Sequence, residues 1–184
     1  MYNPFSLTGK TILVTGASSG IGRVVAIECA KMGASLVITG RDAGRLDETF
    51  ALLEGDKHIR VVADLSKYED IENLVNQCPP LDGFSNNAGI IKVVLVKFIS
   101  REYLGDTLST NTIAPILLTQ LLVKKKKLNR SGSIVYTSSL SGVYCVHYGE
   151  SMYAASKGAI SGFAKGAALD LAAQNIRVNC VTPG

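Results

Sequence analysis

The sequence lacks the features that would place it in a membrane or on a secretory route. Its 184 residues contain no tryptophan, only five prolines and no apolar stretch near the roughly 18 residues that a bilayer span requires. The first residues do not form a basic segment followed by an apolar run, which a secretory leader would need. These absences predict a cytoplasmic protein with no membrane partner.

Cysteine is scarce, and its spacing is uninformative. The four cysteines form no C-x-x-C pair, and no histidine stands at ligand spacing from them. This pattern argues against a zinc site and against a redox motif, so we expect reduced thiols and no bound metal. The cysteines are Cys29, Cys78, Cys145 and Cys180.

Charge of one sign is also limited. The formal net charge is +4, and much of the excess lies in one run, Lys124 to Lys127, at the end of a predicted helix. Such a run can satisfy the last carbonyls of the helix, or it can form a nucleic-acid patch. The first interpretation is favoured, so no nucleic-acid partner is predicted.

What the sequence does contain is glycine and apolar residues in alternating segments. Eighteen glycines and a 47% hydrophobic content suit a single compact domain over residues 1–184. Short β-branched runs alternate with helical stretches, which indicates α/β architecture.

The alternation predicts six strands separated by helices. A doubly wound parallel sheet in three α/β/α layers follows, with a ligand crevice at the carboxyl ends of its strands. Residues 79–83 are predicted as a turn, and residues 90–98 are ambiguous. The predicted strands are 11–14, 35–39, 59–63, a short strand entering residue 86, 133–137 and 176–181. The predicted helices are 21–31, 43–53, 68–77, 101–125 and 153–173.

A glycine-rich turn joins the first strand to the first helix. The segment from Thr15 to Gly22 reads T-G-A-S-S-G-I-G. Glycines there permit a tight turn and close approach of a pyrophosphate, and the helix N-terminus offers amide donors. The alternative is a tight turn without a ligand, which the βαβ context disfavours. The candidate cofactor contacts in this turn are Gly16, Ser18, Ser19, Gly20, Ile21 and Gly22.

Further polar signatures lie downstream. Tyr153 and Lys157 stand one helical turn apart on one face, although Y-x-x-x-K alone arises often by chance. The sequence S-L-S-G begins at Ser139, N-N-A-G spans residues 86–89, and the chain ends in P-G at Pro183 and Gly184.

These motifs occur together in the order typical of one family. The chain resembles the short-chain dehydrogenase/reductase family, whose glycine motif is T-G-x-x-x-G-x-G, from Gly9 to Gly184. The resemblance implies a Rossmann fold and hydride transfer between a nicotinamide cofactor and a carbonyl or alcohol substrate. A 3-oxoacyl-(acyl-carrier-protein) reductase is one candidate among such enzymes. The opposing interpretation is a dinucleotide-binding sensor or scaffold without turnover.

The resemblance also implies cofactor contacts beyond the glycine turn. Asp64, followed by Leu65, would bond the adenine ring, whereas the alternative is a helix N-cap. The N-N-A-G segment would approach the adenosine ribose, whereas the alternative is a simple turn. The residues concerned there are Asn87, Ala88 and Gly89, and Pro183 and Gly184 would lie beside the nicotinamide.

Cofactor choice depends on the end of the second strand. The family's NAD-selecting acid aligns with Gly40, which leaves Arg41 to pair a 2′-phosphate. We therefore expect NADP(H), with NAD(H) as the alternative, because Asp42 is close to the spacing of an NAD-selecting acid. A second basic residue that the family sometimes carries in the glycine motif is replaced by Ser19.

The catalytic residues implied by the resemblance are Asn111, Ser139, Tyr153 and Lys157. Tyr153 would transfer the proton, with Lys157 favouring its phenolate and binding the nicotinamide ribose. Ser139 would hold the substrate oxygen, and Asn111 would hold a relay water, whereas the alternative for Asn111 is a polar helix residue before a proline kink.

Two further expectations concern contacts with a second copy of the chain and the segment that follows the P-G motif in relatives. Small residues recur at helical spacing in the Tyr153 helix, which predicts a homo-oligomer, dimer or tetramer, or else internal packing. Relatives continue past the P-G motif into a substrate loop, helices and a seventh strand, which the chain lacks. The small residues are Ala155, Ala159, Gly162 and Gly166.

Overall fold

The six strands form one parallel sheet in a computed structural model that describes residues 3–184. The strand order is β3-β2-β1-β4-β5-β6, so the chain winds outward from β1 in one direction and from β4 in the other. The strands are β1 Thr11–Thr15, β2 Ser35–Gly40, β3 Ile59–Val62, β4 Leu81–Asn86, β5 Leu128–Thr137 and β6 Arg177–Val181. The predicted doubly wound topology is confirmed.

Helices cover both faces of the sheet. They are α1 Gly20–Lys31, α2 Ala43–Ala51, α3 Tyr68–Gln77, α4 Arg101–Leu108, α5 Ala114–Lys124 and α6 Ser151–Asp170. A π-helical turn, Ser109–Ile113, joins α4 to α5, and short 3-10 turns occur at Val96–Phe98 and Ala172–Gln174. Within residues 3–184, no helix is both long enough and apolar enough to span a bilayer.

Successive side chains of β1 point to opposite faces of the sheet, so neighbouring residues belong to different halves of the core. Leu13 packs with residues of α3, α5 and α6 in one cluster, whereas Val14 packs with residues of α1 and α2 in the other. Both side chains are fully buried because successive strand residues point to opposite faces. The predicted three-layer arrangement is confirmed.

Strands β4 and β5 begin earlier along the chain than the sequence predicts. The turn predicted at residues 79–83 is wrong, because Leu81 already pairs with Leu128 at the start of β4 and β5. The Asp82 carboxylate accepts hydrogen bonds from the Thr11 main chain at 2.9 Å and from Asn129 at 3.2 Å. An acidic residue that is typical of turns thus fastens three strands together.

The predicted helix over residues 101–125 is interrupted. Asn111 lies in the π-helical turn between α4 and α5, and Pro115 lies in the first turn of α5 instead of kinking a continuous helix. Mid-helix π-turns occur frequently at functional sites, and this one contains a candidate catalytic residue.

Two of the four lysines at the end of α5 bind other parts of the chain. The ammonium of Lys125 lies 3.1 Å from a Glu72 carboxylate oxygen, and that of Lys127 donates to the main-chain oxygen of Cys78. These contacts fasten the end of α5 to α3.

The small residues of α6 do not pack against other parts of residues 3–184. Ala155, Ala159, Gly162 and Gly166 are all exposed, and no atom lies within 4 Å of where a Cβ would stand on either glycine. No described residue covers this face of α6, and the oligomer prediction stays a prediction.

Candidate active site

A cleft of about 490 Å³ lies at the carboxyl ends of the strands, beside the point where the strand order reverses between β1 and β4. Doubly wound sheets bind their ligands at this position. The predicted site residues that line it are Gly16, Ser18, Ser19, Gly20, Ile21, Arg41, Asp64, Leu65, Asn87, Ala88, Gly89, Tyr153 and Lys157. Five predicted residues lie outside the lining, namely Gly22, Asn111, Ser139, Pro183 and Gly184.

The glycine turn leaves the first turn of α1 open to a ligand. Ser19 is the N-cap residue of α1, but its side chain makes no capping hydrogen bond. A Cβ on Gly20, whose φ is +54°, would meet no atom within 4 Å. Amide donors at an uncapped helix N-terminus fit the pyrophosphate of a dinucleotide.

Gly22 has a structural role instead of a contact with the cleft. A Cβ there would overlap the Gly16 carbonyl oxygen and stand 2.6 Å from Asn87 Nδ2. Only a residue without a side chain lets α1 approach both the turn and the end of β4 this closely.

Thr15, which sequence reasoning missed, joins the glycine turn to the N-N-A-G segment. Its buried hydroxyl donates to Asn86 Oδ1 at 3.0 Å and accepts from the amides of Asn87 and Ala88 at 3.0 and 3.1 Å. The end of β4 is therefore held at a fixed distance from β1. The threonine that opens T-G-x-x-x-G was the available sequence signal.

Asp64 lies in the cleft wall and does not cap α3. The N-cap residue of α3 is Lys67, and the Asp64 carboxylate accepts from the amide and hydroxyl of Ser66. Burial opposes ionisation, but those hydrogen bonds and the charge of Arg41 keep the pKa of Asp64 below its usual value. The N-cap alternative is wrong, and the carboxylate is an anionic acceptor in the cleft.

The end of β2 brings Arg41 to the cleft between a glycine and an acidic residue. A Cβ on Gly40 would stand 3.0 Å from the Ser18 side chain. Asp42 caps α2 by accepting from the Arg45 amide at 3.0 Å, and its other oxygen lies 3.6 Å from Arg45 Nε. The Asp42 carboxylate is thus bound to Arg45 of its own helix turn. The neighbouring Arg41 also lines the cleft.

Other residues of the cleft lining were not among the predicted contacts, although several of them directly adjoin predicted ones. They lie at strand ends, in the loop after β4, in α2 and in the π-helical turn. They are Gly40, Asp42, Arg45, Ala63, Ile90, Ile91, Thr110 and Thr137.

Tyr153 and Lys157 reach the cleft from the first turns of α6. The Lys157 ammonium lies 5.7 Å from the centre of the Tyr153 ring and donates to the Thr137 main-chain oxygen at 2.7 Å. Lys157 is only 5% exposed, and burial lowers its pKa to about 8. The ammonium is still mostly charged at neutral pH.

Asn111 holds the loop after N-N-A-G against α6. Its amide oxygen accepts from the Ile90 amide at 2.8 Å, while its nitrogen donates to Ile90 oxygen at 2.8 Å and to Ser156 Oγ at 3.0 Å. Both donors are occupied, so a relay water would have to donate to an acceptor of Asn111.

The two adjacent serines after β5 have different environments. Ser138 is 2% exposed, and its hydroxyl bonds Ser161 Oγ at 2.7 Å and the Lys157 main-chain oxygen at 3.1 Å. Ser139 is half-buried, and its oxygen accepts from the Ser141 amide at 3.1 Å. The Ser139 hydrogen remains free to donate.

The P-G motif lies beside the Ser139 loop and not along the cleft. The Pro183 main-chain oxygen accepts from the Leu140 amide at 3.3 Å, and a Cβ on Gly184 would stand 3.0 Å from a Leu140 methyl.

Lys157→Met is expected to change how stability depends on pH. In the parent without cofactor, the folded state carries the full cost of the buried ammonium below pH 8. As the pH rises from about 8 to 10.5, only the folded state releases this proton, so the cost declines. The parent should therefore gain roughly 2 to 3 kcal/mol of unfolding free energy relative to the variant across this range, measured by urea denaturation.

Lys165→Met on the exposed part of α6 is the matched control and should show no such trend. A Lys157→Met difference that is constant between pH 7 and 10 would mean that the ammonium is not desolvated.

Comparisons with known proteins agree with this geometry. Residues 10–184 match the family described as short chain dehydrogenase. The chain is 34% identical over 178 residues to a 3-oxoacyl-(acyl-carrier-protein) reductase of Rickettsia felis, covering 97% of this chain and 73% of that protein. It is also 34% identical over 185 residues to dehydrogenase/reductase SDR family member 4 of Homo sapiens, covering 97% of this chain and 66% of that one.

A solved structure extends the comparison to three dimensions. A short chain dehydrogenase from Burkholderia cenocepacia in complex with NADP superposes with a TM-score of 0.89 at 35% identity, over 97% of this chain and 75% of that one. With family match, sequence identity and fold in agreement over nearly all its length, the chain belongs to the short-chain dehydrogenase/reductase family of NAD(P)-binding oxidoreductases.

Proposed function

We propose that this protein is an NADP(H)-dependent oxidoreductase acting on a carbonyl and secondary-alcohol pair. The observation that carries the proposal is one cleft bordered by the glycine turn, Asn87 to Gly89, Tyr153 and Lys157. A cofactor site and a phenol beside a buried ammonium thus share one space.

Three parts of the cleft would bind the cofactor. The open first turn of α1 would bind the pyrophosphate, Asp64 the adenine, and Arg41 the 2′-phosphate. The bound nicotinamide would supply or accept the hydride.

The chain's own residues would handle the proton and the developing charge. Tyr153 would donate its phenolic proton to the substrate oxygen, and the Lys157 ammonium would stabilise the resulting phenolate. The free hydroxyl hydrogen of Ser139 would bond the same substrate oxygen. Asn111, through Ile90 and Ser156, would fix the wall of the cleft next to Lys157.

The reaction is tested by following NADPH oxidation with purified protein and a panel of carbonyl compounds. A 3-oxoacyl thioester belongs in the panel because relatives named for that activity are 34% identical to this chain. A simple ketone, a steroid and a sugar complete it. Saturable binding of NADPH without oxidation by any of them would favour a sensor or scaffold instead.

Arg41→Ala should weaken NADPH binding far more than NADH binding. Loss of a charged hydrogen bond costs about 1.5 to 3 kcal/mol, or roughly 10- to 150-fold in Kd. NADH has no 2′-phosphate, so its Kd should change little. Fluorescence titration with both cofactors measures the two values.

Arg130→Ala provides the control, because this arginine lies near the start of β5, at the opposite edge of the sheet from the cleft. Equal losses for NADPH and NADH in Arg41→Ala would contradict the phosphate assignment.

We also propose that the protein forms a homo-oligomer through α6. The exposed small residues described above support it, because they would let a helix from a second copy approach closely. Light scattering compares the molecular mass of Gly162→Glu with that of the parent, and the variant should have the lower mass. An unchanged mass would exclude this face of α6 as the oligomer contact.

A further inference from the structure

The loop that carries Ser139 is anchored at its start, where the Ser138 hydroxyl bonds α6 and the Leu140 amide bonds Pro183, but its middle is open. It connects β5 to α6, and its residues 143–148 are all exposed. Ser139 must nevertheless be held in register with Tyr153, which lies on α6, because both are proposed to bond one substrate oxygen. Misplacing a reacting group by about 1 Å can cost 100-fold in rate.

A buried serine and a carboxylate form a second link between this loop and the start of α6, beside the Ser138 contacts. Ser141 is 4% exposed, and its hydroxyl donates to Glu150 Oε2 at 2.7 Å. The Ser141 amide donates to Ser139 Oγ at 3.1 Å. Ser141 is therefore bonded to the catalytic candidate on one side and to the residue preceding α6 on the other.

Glu150 is not occupied by other strong partners. It stands at the N-cap position of α6, yet its side chain makes no capping hydrogen bond. Among residues 3–184, no Lys, Arg or His nitrogen lies within 4 Å of its carboxylate. A hydrogen bond to an ionised acceptor is about twice as strong as a neutral one, so the Ser141 contact is a strong link.

The direction of the hydrogen bonds matters for chemistry. Ser139 Oγ accepts from the Ser141 amide, so the hydroxyl keeps its own hydrogen to donate to another group. If Ser141 moved, Ser139 would lose the partner that orients it, while the cofactor cleft, which neither Ser141 nor Glu150 lines, would be unchanged.

We infer that Ser141 and Glu150 are positioning residues that set the distance between Ser139 and Tyr153. The inference rests on the proposed function, since it assigns these two residues to the same reaction. Neither touches the substrate or cofactor; they act through Ser139 and through the start of α6.

Turnover of four variants tests the inference. Ser141→Ala and Glu150→Ala should each lower kcat about ten-fold, the effect of losing one hydrogen bond to a charged group, with the Kd of NADPH unchanged. Glu150→Gln keeps an acceptor oxygen and should retain most of the activity. The double variant Ser141→Ala/Glu150→Ala should be no slower than either single variant, because both remove one link.

A matched control separates positioning from general destabilisation. Ser100→Ala removes the N-cap serine of α4, which accepts from the Tyr103 amide, and should lower stability without lowering kcat. Parental kcat in both alanine variants would overturn the inference. So would additive losses in the double variant, or a Glu150→Gln enzyme as slow as Glu150→Ala.

Hydrogen exchange makes the link testable without turnover. Ser141→Ala and Glu150→Ala should speed exchange of the amides of residues 139–142 but not of residues 16–22. Unchanged exchange would overturn the link whatever the turnover. A parent that reduces no carbonyl would instead overturn the proposed function, and faster exchange would then still support the link.

Discussion

Tyr153→Phe should lower carbonyl reduction by at least the roughly 100-fold typical of losing a general acid. The change removes one oxygen and preserves the half-buried ring that lines the cleft. Because the ring and the Lys157 contact stay, the Kd of NADPH should hardly change. Steady-state kinetics with a substrate that the parent reduces, together with NADPH titration, measure both quantities.

Other tyrosines show why Tyr153 is the informative position. Tyr136 is fully buried and bonded to Thr119, and burial raises its pKa to about 12, so its phenol is unsuited to proton exchange. Tyr103→Phe, on exposed α4, is the matched control and should leave kcat unchanged. A Tyr153→Phe protein with parental turnover would overturn the mechanism and favour a binding module without catalysis.

Gly16→Val should abolish detectable NADPH binding. Gly16 has a φ of +66°, and a Cβ there would stand 2.8 Å from Ala88 Cα and 2.9 Å from Ala88 N. The valine would therefore force the glycine turn away from the N-N-A-G segment, so that both walls of the cleft move. Calorimetric titration with NADPH measures the loss.

The chain should remain folded in this variant, although less stable. Backbone strain costs about 1–3 kcal/mol and overpacking about 1–3 kcal/mol, while domains have about 5–15 kcal/mol of stability. Circular dichroism checks the fold, and Gly105→Ala in α4, where a Cβ meets no atom within 4 Å, controls for adding a side chain to glycine. An NADPH affinity equal to that of the parent would show that the turn has another purpose.

The local pattern predicted most of the sheet because strand burial depends on short-range sequence. Continuous apolar runs bounded by glycine identify strands buried on both faces, and β1 and β2 follow the prediction to within one residue. The extra residues at the start of β5 were missed because Leu128 pairs with Leu81 and the register shifts before Ser133 pairs with Gly83, which no local pattern encodes.

The π-helical turn is a second case in which distant contacts override local preference. Residues 101–125 have helical periodicity throughout, yet Asn111 binds both main-chain groups of Ile90, 21 residues away. The hydrogen bonds to Ile90 and to Ser156 hold Asn111 in place where the regular helix is interrupted.

The sequence by itself determined the order of the motifs, the parallel sheet and the residue types around the cleft, since each depends on spacing of a few residues. Only the tertiary structure decided which groups are desolvated or paired. The pKa of Lys157, the Thr15 link between β1 and β4, and the hydrogen bond of Ser141 to Glu150 all depend on segments brought together from separate parts of the chain. Burial and hydrogen-bond partners are properties of that packing, and for this reason they appear only when the chain is folded.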